Sequence, residues 1–249
     1  MKILAVIPAR YASTRLPGKP LISIAGKPMI ERVWERVRRT SLVSRVIVAT
    51  DDERIAKAVK SFGGEAVLTR ADHRSGTERV AEVAVAHPDA EILANVQGDL
   101  PLIEPAAIEA AIEAVRGDED VRVGTLAVPI TNPAEIMDPN VVKTVLDFDG
   151  NALYFSRAPI PWVRDRGSPV HAKHLKHLGL YVFRREALLE FATFPQGDLE
   201  RIEQLEQLRW LENGYRIRVA ETEYKSVEVD TPEDVKRVEQ LLAGGAAAR

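Results

Sequence analysis

Short apolar runs alternate with longer amphipathic stretches along the first half of the chain. Ile3–Ile7 is an apolar run ended by Pro8 and predicts a buried strand. A polar loop, 9–27, follows. Pro28 then sits at a helix start, with Ile30, Val33, Trp34 and Val37 on one face. Arg45–Thr50 reads as the next strand, Asp52–Phe62 as the next helix, and Gly63-Gly64 as its stop. The alternation continues with a strand at 65–69, a helix at 76–86, a strand at 92–96, a helix at 105–115 and a strand at 122–129. Such βαβα spacing predicts an α/β fold, a doubly wound and mostly parallel sheet covered by helices.

The rhythm breaks after Ile130. Val141–Phe148, the turn pair Asp149-Gly150 and Ala152–Ser156 predict a β-hairpin, and His177–Phe183 a further strand. A helix over 199–213, with Ile202, Leu205 and Leu208 as its core stripe, a strand at 216–220 and a helix at 232–242 close the pattern, leaving 244–249 as a frayed tail. The expectation is one domain, with 131–184 as a small β-rich excursion. In doubly wound sheets ligands bind beyond the carboxyl ends of strands, so the loops there are where chemistry is sought.

Composition narrows the classes. The chain has 249 residues, 45% hydrophobic and 29% charged, enough for a sizeable core. Its net charge of −3 gives no general attraction for nucleic acid or an anionic membrane, so any polyanion site must be local. No run approaches a membrane span, and the opening Met1–Pro8 is too short for a signal peptide's apolar region. The absence of cysteine excludes disulfides and thiolate metal sites. A cytoplasmic protein is expected.

Three strand-end loops carry candidate chemistry. In Pro8–Pro20, Arg10, Arg15 and Lys19 stand among hydroxyls with no carboxylate between them. A triphosphate needs such a cluster, although a basic loop can also be merely solvated. The loop is neither a Walker loop nor a dinucleotide fingerprint, which disfavours a dehydrogenase. In Asn95-Val96-Gln97-Gly98-Asp99, the glycine permits a sharp turn and Asp99 presents a carboxylate. Mg²⁺ is usually held by one or two carboxylates plus phosphate oxygens, yet a Gly-Asp turn before proline is also common. In Val229–Asp234, Thr231, Pro232 and Asp234 make a capping box that leaves Asp230 without a structural role. It is either a second metal carboxylate or only a helix-start residue. Thr50 and Asp51 stand at another strand end and either serve a nucleotide or sit beside an ordinary helix cap at Asp52. Ser75 either sets backbone donors against a base or starts a helix. His171, His174 and His177 make a poor metal cage at their spacing.

Taken together, Pro8-Ala9-Arg10-Tyr11-Ala12-Ser13-Thr14-Arg15-Leu16-Pro17-Gly18-Lys19-Pro20, Ser75-Gly76-Thr77-Glu78-Arg79, Asn95-Val96-Gln97-Gly98-Asp99, Leu205-Glu206-Gln207-Leu208-Arg209 and Val229-Asp230-Thr231-Pro232-Glu233-Asp234 resemble the motifs of 3-deoxy-manno-octulosonate cytidylyltransferases. The resemblance spans nearly the whole chain. It implies the nucleotidyltransferase fold and the reaction of CTP with 3-deoxy-manno-octulosonate (KDO) to give CMP-KDO and pyrophosphate, which activates KDO for lipopolysaccharide core. It implies that Arg10, Ser13, Arg15 and Lys19 hold the CTP phosphates, and that Asp99 and Asp230 bind Mg²⁺. It also implies that Gln97, Arg157, His177, Tyr181, Glu206 and Gln207 line the sugar pocket, and that homodimers pair through part of 131–184. Two departures stand out: Leu100 where the family commonly has Glu, and Val227-Glu228-Val229 before Asp230 where it usually has Gly-Val. Side chains alternate on extended residues, so Leu100 is expected to face away from the metal carboxylate. The rivals are a transferase for another acidic or neutral sugar and a non-catalytic nucleotide-binding domain. The second gives no reason for carboxylates beside a cationic loop.

Overall fold

The structure, a computed structural model, describes residues 1–12, 16–165, 173–224 and 227–247. Ser13, Arg15 and His171 lie outside the described residues. The chain forms two compact units, one of Met1–Glu109 with Lys225–Arg249 and one of Ala110–Tyr224.

The first unit opens with β1 (Ile3–Ala9), whose seven residues are all buried. After a single 3-10 turn at Lys19–Leu21 come the short strands β2 (Ser23–Ile24) and β3 (Lys27–Pro28), then α1 (Met29–Val37). Ile30, Val33, Trp34 and Val37 form the buried face of α1 expected from their spacing, and Met29 joins them. The alternation proceeds through β4 (Arg45–Thr50), α2 (Glu53–Ser61), β5 (Glu65–Leu68), α3 (Gly76–Ala86), β6 (Ile92–Asn95) and α4 (Pro105–Arg116), along which the chain passes into the second unit. Asp52 and Ser75 cap α2 and α3 with bonds of 2.8 and 3.2 Å from the N–H groups of Arg54 and Glu78. In the main sheet of this unit the pairings are parallel, β1 with β4, β1 with β6 and β4 with β5, while the short β2 and β3 pair antiparallel apart from it. Because β4 lies on one side of β1 and β6 on the other, strand order reverses at β1. A crevice therefore opens at its carboxyl end.

The second unit holds β7 (Val123–Pro129), α5 (Pro133–Met137), β8 (Lys143–Leu146), β9 (Ala152–Ser156), β10 (Leu175–Arg184), α6 (Arg185–Phe191), α7 (Asp198–Glu203), α8 (Gln207–Glu212) and β11 (Ile217–Glu221). β10 runs antiparallel to β7 and β8, and β7 parallel to β11. The expected hairpin is present as β8 and β9, its turn held by Asp147, whose carboxylate accepts from the N–H groups of Asp149 (2.9 Å) and Asn151 (2.7 Å). Tyr181, Phe183, Trp210 and Phe191 stack in sequence with centroids 5.9, 5.4 and 4.4 Å apart, filling the space between β10 and the helices. The excursion expected at 131–184 lies within this unit.

Beyond it the chain returns to the first unit and ends in α9 (Pro232–Ala247). Three sequence expectations need correction. The helix expected over 199–213 is two helices, because Gln204 adopts a left-handed backbone (φ 53°) that ends α7. That break takes Ile202 out of the apolar stripe and leaves it 77% exposed, while Leu205 and Leu208 are buried as expected. At the C-terminus, α9 continues through Gly244 to Ala247 where a frayed tail was expected. The helices α5 and α6 were not anticipated. Among the described residues, no helix is long and apolar enough to cross a membrane.

Candidate active site

Three chain segments of the first unit meet at the carboxyl end of β1. The loop after β1 closes on itself through Gly18, whose N–H donates to the Tyr11 carbonyl at 3.1 Å from a left-handed φ of 67° that only glycine adopts freely. This turn delivers Lys19. The loop after β6 presses against the end of β1 at Gly98, where a Cβ atom would lie 3.0 Å from the Pro8 carbonyl oxygen. A side chain there would have to push the backbone of β1 aside by a few tenths of an ångström, and this close approach sets the position of Asp99. The third segment is the irregular stretch that leads back into α9, tied in by a 3.1 Å bond from the Val229 N–H to the Asp99 carbonyl.

These ties bring Asp99 and Asp230 onto one cation. The Lys19 ammonium donates to Asp99 Oδ2 at 2.7 Å and to Asp230 Oδ1 at 2.9 Å. Burial works against the charge on Lys19, and the two carboxylates more than offset it, so its pKa is raised. Asp234 accepts from the N–H groups of Asp230 (3.0 Å) and Thr231 (2.9 Å), and the Thr231 hydroxyl accepts from the Asp234 N–H (3.3 Å). The capping box is therefore present as expected, and it leaves the Asp230 carboxylate turned to Lys19. The surrounding cleft is about 380 Å³, lined by Pro8, Arg10, Lys19, Gln97, Asp99 and Asp230 among others.

The donor set suits a hard divalent ion. Two carboxylates already converge on a single positive charge, and a cleft rimmed with cations admits phosphate oxygens to complete a shell. Among the described residues no cluster of three or more His, Cys, Asp or Glu offers a rival site.

The remaining candidates of this unit are engaged in the fold. Arg10 donates to the His73 carbonyl, and Arg54 lies over the Tyr11 ring at 3.3 Å. The Thr50 carbonyl accepts from the Thr69 N–H (2.9 Å), and Asp51 pairs with the buried Arg79 at 3.1 Å. Ser75 is the α3 cap described above. Gln97 donates from its amide to Asn95 Oδ1 at 3.1 Å. Of these, Arg10 and Gln97 line the cleft.

The sugar-pocket candidates other than Gln97 lie in the second unit. His177 is buried, its Nε2 2.9 Å from the Thr125 hydroxyl, which in turn donates to the Leu180 carbonyl at 2.7 Å. Thr125 thus accepts from the imidazole, and burial lowers the His177 pKa to about 3, keeping the ring neutral. His177 and Tyr181 contact with centroids 5.5 Å apart. Burial, joined by the negative charge of Glu206, raises the Tyr181 pKa well above its usual value. Gln207, at the start of α8, is buried, and Glu206 immediately precedes it. Arg157 has a structural post: its guanidinium donates to the carbonyls of Glu203 (2.7 Å), Pro139 (2.9 Å) and Gln204 (3.2 Å). It thereby stitches the end of β9 to the break between α7 and α8.

Sequence reasoning passed over several charged residues that organise these loops. Lys143 is fully buried and donates to the carbonyls of Asp138 (2.9 Å), Val141 (2.6 Å) and Arg157 (2.5 Å). Glu200 and Arg209 form a buried bidentate pair with both bonds at 2.6 Å. Burial of a charge leaves no periodic signal, because its partners are carbonyls or distant side chains.

The family model for cytidylyltransferases matches residues 4–218. A 3-deoxy-manno-octulosonate cytidylyltransferase of Solibacter usitatus is 58% identical over 97% of this chain and 94% of its own length. Another, from Syntrophotalea carbinolica, is 55% identical over 98% of this chain and its full length. The chain belongs to the 3-deoxy-manno-octulosonate cytidylyltransferase family. A solved structure of CMP:2-keto-3-deoxy-manno-octonic acid synthetase in complex with CTP, 44% identical, superposes on 98% of the chain and 100% of its own with a TM-score of 0.93. A cytidylyltransferase structure from Leptospira borgpetersenii, 16% identical with a TM-score of 0.65 over 98% of this chain and 87% of its own, shares the fold. The α/β architecture with a mostly parallel sheet and flanking helices is thus that of other cytidylyltransferases.

Proposed function

We propose that this chain transfers a cytidylyl group from CTP to 3-deoxy-manno-octulosonate, forming CMP-KDO and releasing pyrophosphate. The observation that carries the reading is the convergence of Asp99 and Asp230 on Lys19 in the cleft at the end of β1. The family's activity and the CTP bound by the solved relative support the choice of nucleotide and sugar. The keto-sugar's anomeric hydroxyl attacks the α-phosphorus in line, and pyrophosphate departs. Lys19 and Arg10 supply positive charge where the leaving group gains negative charge. Asp99 and Asp230 would hold Mg²⁺, whose chemistry is to neutralise phosphate charge and acidify a bound hydroxyl. Ser13, Arg15, Thr50, Asp51 and Ser75 are proposed to complete the nucleotide's surroundings.

Gln97, Arg157, His177, Tyr181, Glu206 and Gln207 are proposed for the sugar. The neutral His177 suits hydrogen bonding to hydroxyls and not proton transfer at neutral pH. We further propose a cytoplasmic homodimer that serves lipopolysaccharide core synthesis and pairs through part of 131–184. The exposed Phe148, Leu153 and Trp162 in that segment support the pairing.

The test is pyrophosphate release across four nucleoside triphosphates and a panel of keto-sugar acids. CTP with KDO should give the highest kcat/KM. Release that favours another nucleotide, or a sugar lacking the acid, would overturn the assignment.

A further inference from the structure

We infer that Glu82 is a positioning residue for the phosphate-facing cation Arg10, acting through the loop that ends at His73. The inference rests on the reading that this cleft receives CTP. An arginine on a cleft rim has many rotamers, and a preorganised charge needs something to fix it. Here the fixing partner is a backbone carbonyl, that of His73. A carboxylate in that place would cancel the charge, whereas a carbonyl aims the guanidinium and takes only one of its five donors.

The carbonyl is only as fixed as its loop, residues 70–74, which has neither helix nor strand. Helix α3 supplies the constraint. Glu82 Oε2 accepts from the Arg70 N–H at 3.2 Å and meets the buried imidazole of His73. One turn earlier, Glu78 accepts from the Arg74 N–H at 2.8 Å. Between them Arg79 reaches the Arg70 carbonyl at 3.3 Å. The two glutamates lie on one helical face at i,i+4 spacing, so the loop is stapled at both ends to a single rigid element. Glu82 touches the only side chain of the loop that points into the interior among its described residues, and that residue owns the carbonyl. The chain of contacts is therefore continuous from Glu82 through His73 to Arg10.

The test uses the full chain, with CTP affinity measured directly by calorimetry and steady-state KM values alongside. Glu82→Ala should weaken CTP about tenfold, on the scale of one charge-assisted contact, and leave the keto-sugar KM within about twofold. Glu82→Gln should restore most of the affinity, because its amide oxygen still accepts from Arg70. In an Arg10→Met background, Glu82→Ala should have no further effect on CTP, since its action passes through Arg10. His73→Leu, which fills the interior without the imidazole, gives the same cycle should the alanine variant not fold. A lowered melting temperature with unchanged CTP affinity would reduce Glu82 to a stability residue and overturn the inference. So would an equal loss in the Arg10→Met background. Should wild-type protein release no pyrophosphate from CTP and KDO, the functional reading fails, while the CTP titrations still decide the positioning role.

Discussion

Lys19 and Asp230 stand 211 residues apart in sequence and are joined by a 2.9 Å bond from ammonium to carboxylate. With Asp99 at 2.7 Å on the same ammonium, Lys19 is the internal counter-charge of the proposed metal carboxylates. Removing it should have opposite effects on two measurements. Lys19→Met should raise the Mn²⁺ affinity of the nucleotide-free protein, read by titration calorimetry, because two close carboxylates lose their resident cation. Turnover should fall by at least about 2 kcal/mol of transition-state stabilisation, the scale of one preorganised electrostatic contact. Unchanged Mn²⁺ affinity would mean that the carboxylates do not receive a metal.

Asp99→Asn and Asp230→Asn should each remove most turnover with the fold intact by circular dichroism, since each takes a charge from the proposed metal site. For Asp230 the alternative role is helix initiation. The Asp234–Thr231 capping box performs that role independently. Near-normal turnover in Asp230→Asn would therefore exclude it from the metal site.

His177 should make the protein acid-sensitive in a defined window. Its folded pKa of about 3 lies below the ordinary histidine value, so from about pH 6.5 down to about 3 the unfolded chain binds a proton that the folded one refuses. The stability it contributes is complete above about pH 6.5 and is lost on acidification, by up to about 1.4 kcal/mol per pH unit. Urea midpoints measured between pH 8 and 4 should fall more steeply for wild type than for His177→Asn. Parallel slopes would show that the imidazole titrates normally.

Arg209 and Glu200 face each other in the interior, with Arg209 also over the Phe191 ring at 4.5 Å. Arg209→Met leaves a buried carboxylate unpaired and should destabilise the protein by about 3–5 kcal/mol. The double variant Glu200→Leu with Arg209→Met should recover much of that loss in denaturant unfolding. A double variant as unstable as the single would show that packing, and not charge, dominates there.

Leu100 is buried beside Asp99, and its side chain is not part of the cleft lining. This agrees with a side chain turned away from the carboxylate. Leu100→Ala should cost about 2–5 kcal/mol of stability through the cavity it leaves. Its kcat and CTP KM should stay near wild type. A catalytic defect without a drop in melting temperature would give Leu100 a part in the chemistry.

The fold was most legible where burial is periodic. The stripe of α1 and the apolar run of β1 need nothing but their own spacing to be recognised. Periodicity failed at Gln204, where the neighbouring carbonyls accept from Arg157 and the chain turns left-handed. That is a tertiary reason, invisible in the local pattern. The same division holds at the site. Asp99 and Lys19 could be nominated from their loops, and Asp230 by subtracting a capping box. What joins them is the Gly98–Pro8 approach and the Val229–Asp99 bond, which are contacts between segments that no local window contains. The loop clamp at Glu82 left no trace because nothing distinguishes it, in sequence, from any solvent-facing helix glutamate.

The first unit is discontinuous, and that has a temporal meaning. Residues 1–109 emerge from the ribosome early and carry β1, α3, β6, Lys19 and Asp99, whereas Asp230 belongs to a segment synthesised only after the whole second unit. Until that segment is released, the nascent chain holds Lys19 and Asp99 without their third member, since domains form in order of synthesis. Translation stopped anywhere in the second unit therefore yields a product with the cationic loop but without the paired carboxylates. Synthesis of the returning segment, and not merely folding of the N-terminal half, is the event that brings the two proposed metal carboxylates together.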